Sequence, residues 1–223
     1  KRLEQGPVLA ELVVRLGRRE GVDPGGLLEA GLGSSEGAVR AAAITALARR
    51  GSDRLVAGLG RLLEDKVVAV RRAAAEAVTR LKVKQAAARL GRTAADPDAT
   101  VRAASLDALV ALEQPGSLKA ARSALDDPLT LAAGLAYLGA FGEKSDLGRI
   151  RSLARTYRST SVQVRVFGTL DRLESRKVVT GKSLARARAD LQGDGGLLLR
   201  WRATGVMTER EAAGLISRVG SPG

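Results

Sequence analysis

At 223 residues the chain is long enough to bury a sizeable core, and without cysteine or histidine it can form no disulfide, thiolate metal site or imidazole-based active site. The net charge is +13, the pI is near 11.0 and aromatic residues make up only 2% of the chain. The basic excess suits acidic partners, and the shortage of rings argues against a platform for stacking single-stranded bases.

Pro7 suits the first turn of a helix, with Val8, Leu9, Leu12, Val13 and Leu16 on one apolar face and an end expected near Gly21. Val8 stands as far before Val39 as Val39 stands before Val70, so this helix reads as the second half of a degenerate repeat spanning 1–33. Asp23 and Pro24 predict the N-cap and first turn of a short helix that carries Leu28 and Leu32. Gly33, Ser34 and Ser35 then make a turn.

From here a pattern repeats. Val39-Arg40, Val70-Arg71 and Val101-Arg102 follow one another at equal steps, and Asp65, Asp96 and Asp127 keep the same step, which marks an internal repeat. Leu55, Leu59, Leu62 and Leu63 predict a first helix capped by Ser52 or Asp53. Val70, Ala73, Ala74, Ala77, Val78 and Leu81 recur at the three-and-four spacing of a second helix with a narrow, alanine-rich stripe. Such a hairpin cannot bury both faces alone, so neighbouring hairpins must stack.

The third copy runs regularly to Leu112, and Gln114, Pro115 and Gly116 break it before a helix starting at Ser117. Asp127-Pro128 repeats Asp96-Pro97, but Ala132-Ala133 replaces the Val-Arg pair and Tyr137 and Phe141 bring bulk, which suggests a local change in packing and curvature first and a contact site second. Leu147, Ile150, Leu153 and Ala154 predict another first helix, and 164–173 another second helix. Leu184 lies one full period after Leu153 and places a further first helix over SLARARADL. A glycine-rich turn at 193–196, the stretch LLLRWRATG, and a capping box at Thr208 to Glu211 complete an expected helical cap over 175–223, continuous with the array over 1–174. Thr180-Gly181-Lys182-Ser183 has the end of a phosphate-binding loop, yet Arg176 occupies the place of its first glycine, so a helix start is expected.

The stretches EGAVRAAAITAL, KVVAVRRAAAEAV, DATVRAASLDAL and, divergently, SVQVRVFGTLDRL resemble bacterial HEAT-like repeats over about residues 34–174. The resemblance implies an all-α, right-handed α-solenoid of stacked helical hairpins that serves as a binding scaffold. It also implies a structural ladder in which Arg40, Arg71 and Arg102 meet turn aspartates such as Asp65 and Asp96 of the neighbouring repeat. Some HEAT-like proteins are DNA-repair glycosylases, which need aromatic residues beside an acid; here the sole tryptophan, Trp201, stands near Asp194 outside the clear repeats. Others are bilin lyases, which keeps a pigment lyase or chaperone as a weak alternative.

The leading expectation is a non-catalytic protein-interaction scaffold whose concave second-helix face displays Thr45, Arg72, Glu76 and Asp107. The alternative is nucleic-acid backbone binding by the basic C-terminal third, through Arg151, Arg155, Arg158, Arg186 and Arg188; between Asp146 and Arg202 there are thirteen Lys or Arg against five acids. Paired acids at Glu64-Asp65 and Asp126-Asp127 fall in repeat turns, where caps and ladder partners are expected. Neither cofactor nor metal is expected. No apolar run approaches the roughly 18–20 residues of a membrane span, and the start at Lys1 lacks signal-peptide architecture, so a cytoplasmic location is the default expectation.

Overall fold

The computed structural model describes residues 6–19, 23 and 26–191, and its described elements are helical throughout. Trp201, Asp194, Arg200, Arg202 and the capping box at 208–211 lie outside the described residues. The helices fall into two compact units, 1–117 and 118–223.

The N-terminal unit contains α1 (Gly6–Gly17), α2 (Leu27–Gly31), α3 (Gly37–Arg50), α4 (Asp53–Leu62), α5 (Val68–Leu81), α6 (Ala87–Thr93) and α7 (Ala99–Ala111). Helices α1, α3, α5 and α7 pack side by side in chain order, and α2, α4 and α6 each lie against the second helix that follows. Stacking puts the same repeat positions into the core: Val39, Val70 and Val101 are all 0% exposed, as are Ala43, Ala74 and Ser105. Small side chains set the helix separation. At Gly17 on α1, an added Cβ would come within 2.4 Å of the Ala46 Cβ on α3, so any side chain there forces the two helices apart. Ser105 takes an alanine position because its hydroxyl has a buried partner, the Thr93 hydroxyl at 2.7 Å.

Two helix limits differ from expectation. Helix α1 ends at Gly17, before Gly21, at its close approach to α3. Asp23 does cap α2, but from farther away: its Oδ1 accepts the Leu28 amide at 3.1 Å, while Gly26 in left-handed conformation occupies the N-cap position. Ser52 caps α4 by accepting the Leu55 amide.

The C-terminal unit contains α8 (Leu118–Ala124), α9 (Leu131–Phe141), α10 (Leu147–Thr156), α11 (Thr160–Ser175) and α12 (Gly181–Ala189). Here α9 and α11 are the neighbouring second helices; α8 covers α9, α10 covers α11, and α12 packs on α11 and α10. Tyr137 is fully buried and its ring lies 4.8 Å from that of Phe141, so the bulk on α9 fills core. The Thr169 hydroxyl ties α11 to α9 by donating to the Leu135 carbonyl at 3.0 Å. Gln163, also fully buried, donates to the Ala154 and Tyr157 carbonyls and closes the end of α10. The residues Thr180 to Ser183 form the N-cap and first turn of α12.

Candidate binding surface

The arginines divide by geometry into those that build the frame and those that face outward. Arg40 on α3 makes a two-point pair with Asp65 in the turn before α5, at 2.8 and 3.0 Å, and its Nη1 donates to the Ser34 and Ser35 carbonyls. Arg71 repeats this one unit on, reaching Asp96 at 2.7 and 2.9 Å and the Asp65 and Lys66 carbonyls. Arg102 makes the same two carbonyl contacts, to Asp96 and Pro97, both at 2.9 Å. The carboxylates are locked as well: Asp65 accepts the Val67 amide, Asp96 the Asp98 amide and Asp127 the Leu129 amide. One planar guanidinium thus joins its own turn to the turn of the next repeat, a task suited to the fork of arginine.

A different kind of frame contact lies outside the Val-Arg pattern. Arg122 on α8 grips Asp146 and Glu143 in the turn before α10, with Nε to Asp146 at 2.6 Å. Its separation of 24 residues, close to the 25 of the Arg40 and Arg71 pairs, is the one sequence signal that could find it. Arg50 at the end of α3 donates to the Leu16 and Arg19 carbonyls at the end of α1, and Arg176 does the same for Gly139 and Gly142 at the end of α9.

Of the basic residues expected to be available in the C-terminal third, three are committed. Arg151 and Arg155 share Asp190 at 2.6 and 2.8 Å, and Arg188 pairs with Glu174 at 2.6 Å and Asp171 at 3.6 Å. Asp190 in particular is distant in sequence and reaches its arginines only because α12 packs on α10 and α11. Arg158 and Arg186 are exposed and have no ion pair among the described residues. The paired acids also have structural partners: Glu64 meets Arg92 and Arg89, and Asp126 meets Arg149.

The second-helix face of the N-terminal unit keeps the repeat register on its exposed side. Thr45, Glu76 and Asp107 are equivalent positions on α3, α5 and α7, and all three are exposed. Arg72 lies 3.6 Å from Glu76, an exposed pair one turn apart. Between α3 and α5 is a cleft of about 500 Å³, lined by Thr45, Ala48, Arg49, Ala73, Glu76 and Arg80 among others.

Residues 26–110 match the family model of HEAT repeats. Over these residues the chain is built of HEAT-like repeats. No curated protein matches it. HEAT repeats typically serve as protein-interaction scaffolds and are generally non-catalytic. The stacked hairpins agree with an α-solenoid architecture, and among the described residues no helix is long and apolar enough to cross a membrane.

Several ladder and frame carboxylates are charge-stabilised. Burial acts to raise the Asp65 carboxyl, but the Arg40 guanidinium and the Val67 amide outweigh it and hold Asp65 below the ordinary aspartate range. The same opposition, with Arg122 and the Glu143 amide, lowers Asp146, and with Arg151 and Arg155 it lowers Asp190. An acid whose folded value is depressed stabilises the fold above its unfolded value, near 3.9, and loses that contribution as pH falls through the folded value. The stability difference between the parent and Asp65→Asn is therefore expected to be full at pH 7 and to shrink below about pH 4. Urea unfolding at successive pH values checks this; a difference constant down to pH 2 would contradict it.

Proposed function

We propose that the protein is a non-catalytic scaffold that binds another protein on the second-helix face of its N-terminal unit. The observation that carries this reading is the separation of roles within each second helix: the Val-Arg signature serves the core and the ladder, while positions 45, 76 and 107 present a surface in strict register. A stack of repeats offers such a surface over several helices without refolding, which favours recognition of an extended partner. The commitment of Arg151, Arg155 and Arg188 to acids lowers the charge available for a phosphate backbone in the C-terminal third.

The test is a charge exchange, Arg72→Glu with Glu76→Arg, which keeps the net charge and the i,i+4 pair while inverting the surface pattern. Placing the acid N-terminal to the base suits the helix, so the melting temperature should not fall. The proteins retained by the immobilised parent and by the exchanged variant are compared quantitatively. A partner held by the parent should be lost from the variant; retention of the same proteins by both would place binding elsewhere. Nucleic acid retained in place of protein, seen in the ratio of ultraviolet absorbance between the nucleic-acid and protein maxima, would overturn the scaffold reading.

A further inference from the structure

The cleft between α3 and α5 has small, buried side chains in its floor: Ala48, Ala73 and Ala77 are 5%, 7% and 2% exposed. Most of its other polar groups are already engaged. The Thr45 hydroxyl donates to the Ala41 carbonyl at 3.1 Å, the Thr79 hydroxyl to the Ala75 carbonyl at 3.3 Å, and Glu76 has Arg72 at 3.6 Å. What remains is a pair of guanidiniums, Arg49 on α3 and Arg80 on α5, both exposed and neither with an ion pair or hydrogen bond among the described residues. They stand one period apart and so occupy the same position on adjacent helices, with Arg18 in register one repeat earlier.

A last-turn arginine often does no more than complement the helix dipole. Arg50, next to Arg49, shows the alternative use in this fold, since it is bonded to the end of α1. Arg49 and Arg80 instead border an apolar, alanine-lined floor with no acid assigned to them.

We propose that this cleft receives an extended acidic segment of the partner protein, with Arg49 and Arg80 each taking a carboxylate. Packed helix axes lie roughly 8–10 Å apart, and alternate side chains of an extended chain project to one side at about 7 Å intervals. Two long arginine arms readily span that difference. Nucleic acid fits less well because Glu76 borders the cleft and Asp107 follows in the same register, both repelling a continuous row of phosphates. A peptide can place uncharged residues opposite those acids. The proposal rests on the second-helix face being the partner site and adds the chemistry of what it takes.

The probe is a short fluorescein-labelled peptide of alternating Ala and Glu, titrated with the full chain by fluorescence anisotropy alongside its counterpart with Gln for every Glu. The parent should bind the Glu peptide, more weakly as salt rises, and should not bind the Gln peptide. Arg49→Glu with Arg80→Glu should weaken binding about tenfold or more while the melting temperature stays unchanged. Arg158→Glu with Arg186→Glu makes the same change of net charge in the other unit and should leave affinity within about twofold of the parent. Equal loss in both double variants, equal binding of the Gln peptide, or no binding at low salt would each overturn the proposal. So would binding of a DNA duplex that depends on Arg49 and Arg80 when the peptide does not bind. If the peptide ignores Arg49 and Arg80 but the 72/76 exchange still removes a retained protein, the scaffold reading stands and only the acidic segment falls.

Discussion

Tyr137→Ala is expected to destabilise the C-terminal unit by about 3–5 kcal/mol, the range for removing a large aromatic side chain from a core. Tyr137 is 0% exposed and stacks at a tilt against Phe141, on a helix held between α8 and α11. The space it leaves cannot easily collapse. On one side of α9, Gly134 already brings α8 so close that a Cβ would sit 2.9 Å from the Ala121 carbonyl oxygen. On the other, Thr169 of α11 is hydrogen-bonded to the Leu135 carbonyl. Tyr137→Phe keeps the ring and should cost no more than about 1 kcal/mol. Urea unfolding followed by circular dichroism measures both; a cost under about 1 kcal/mol for the alanine variant would show that the ring does not fill core.

Arg71→Ala is expected to cost about 3 kcal/mol, because it removes a two-point ion pair and strands a carboxylate in a nearly buried position. The side chains of Arg71 and Asp96 are 13% and 7% exposed, which separates this pair from a surface salt bridge. The same substitution also frees the Asp65 and Lys66 carbonyls from their donor. Pairing raises the affinity of the Arg71 guanidinium for its proton, with the Asp96 hydrogen bond the main cause and burial opposing it. Arg72 is the built-in control. It is the next residue, carries the same charge and points to solvent, so Arg72→Ala should change stability by no more than about 0.5 kcal/mol. Urea unfolding of the two variants side by side checks the contrast, and equal losses would contradict it.

Much of this fold is legible because a repeat writes its packing into the chain several times. The recurring positions of Val39, Val70 and Val101, of Ala46, Ala77 and Ala108 and of Leu28, Leu59 and Leu90 are ones the stack buries, whereas Leu81 is only half-buried, and the ladder implied by the HEAT resemblance has its counterpart in the Arg40 and Arg71 pairs. What cannot be read depends on where long side chains end. Arg151, Arg155 and Arg188 look available in the sequence because acids are scarce near them, but Asp190 reaches Arg151 from 39 residues away. Asp23 is recognisable as a cap, whereas its distance from the helix it caps depends on the conformation of the intervening loop. The cleft at Arg49 and Arg80 is hidden for a related reason. Its arginines resemble ordinary last-turn cations until the partners of Arg50 are seen.

Arg40 and Arg71 of the Val-Arg pairs join neighbouring repeats and so are not available to a ligand. The double-mutant cycle of Arg71→Ala, Asp96→Ala and the combined variant tests this most directly, since the two residues belong to successive repeats and lie 25 positions apart. Unfolding free energies of the four proteins should give a coupling of about 2 kcal/mol or more, with the double variant little worse than either single one. Additive losses, with a coupling within about 0.5 kcal/mol of zero, would contradict the ladder.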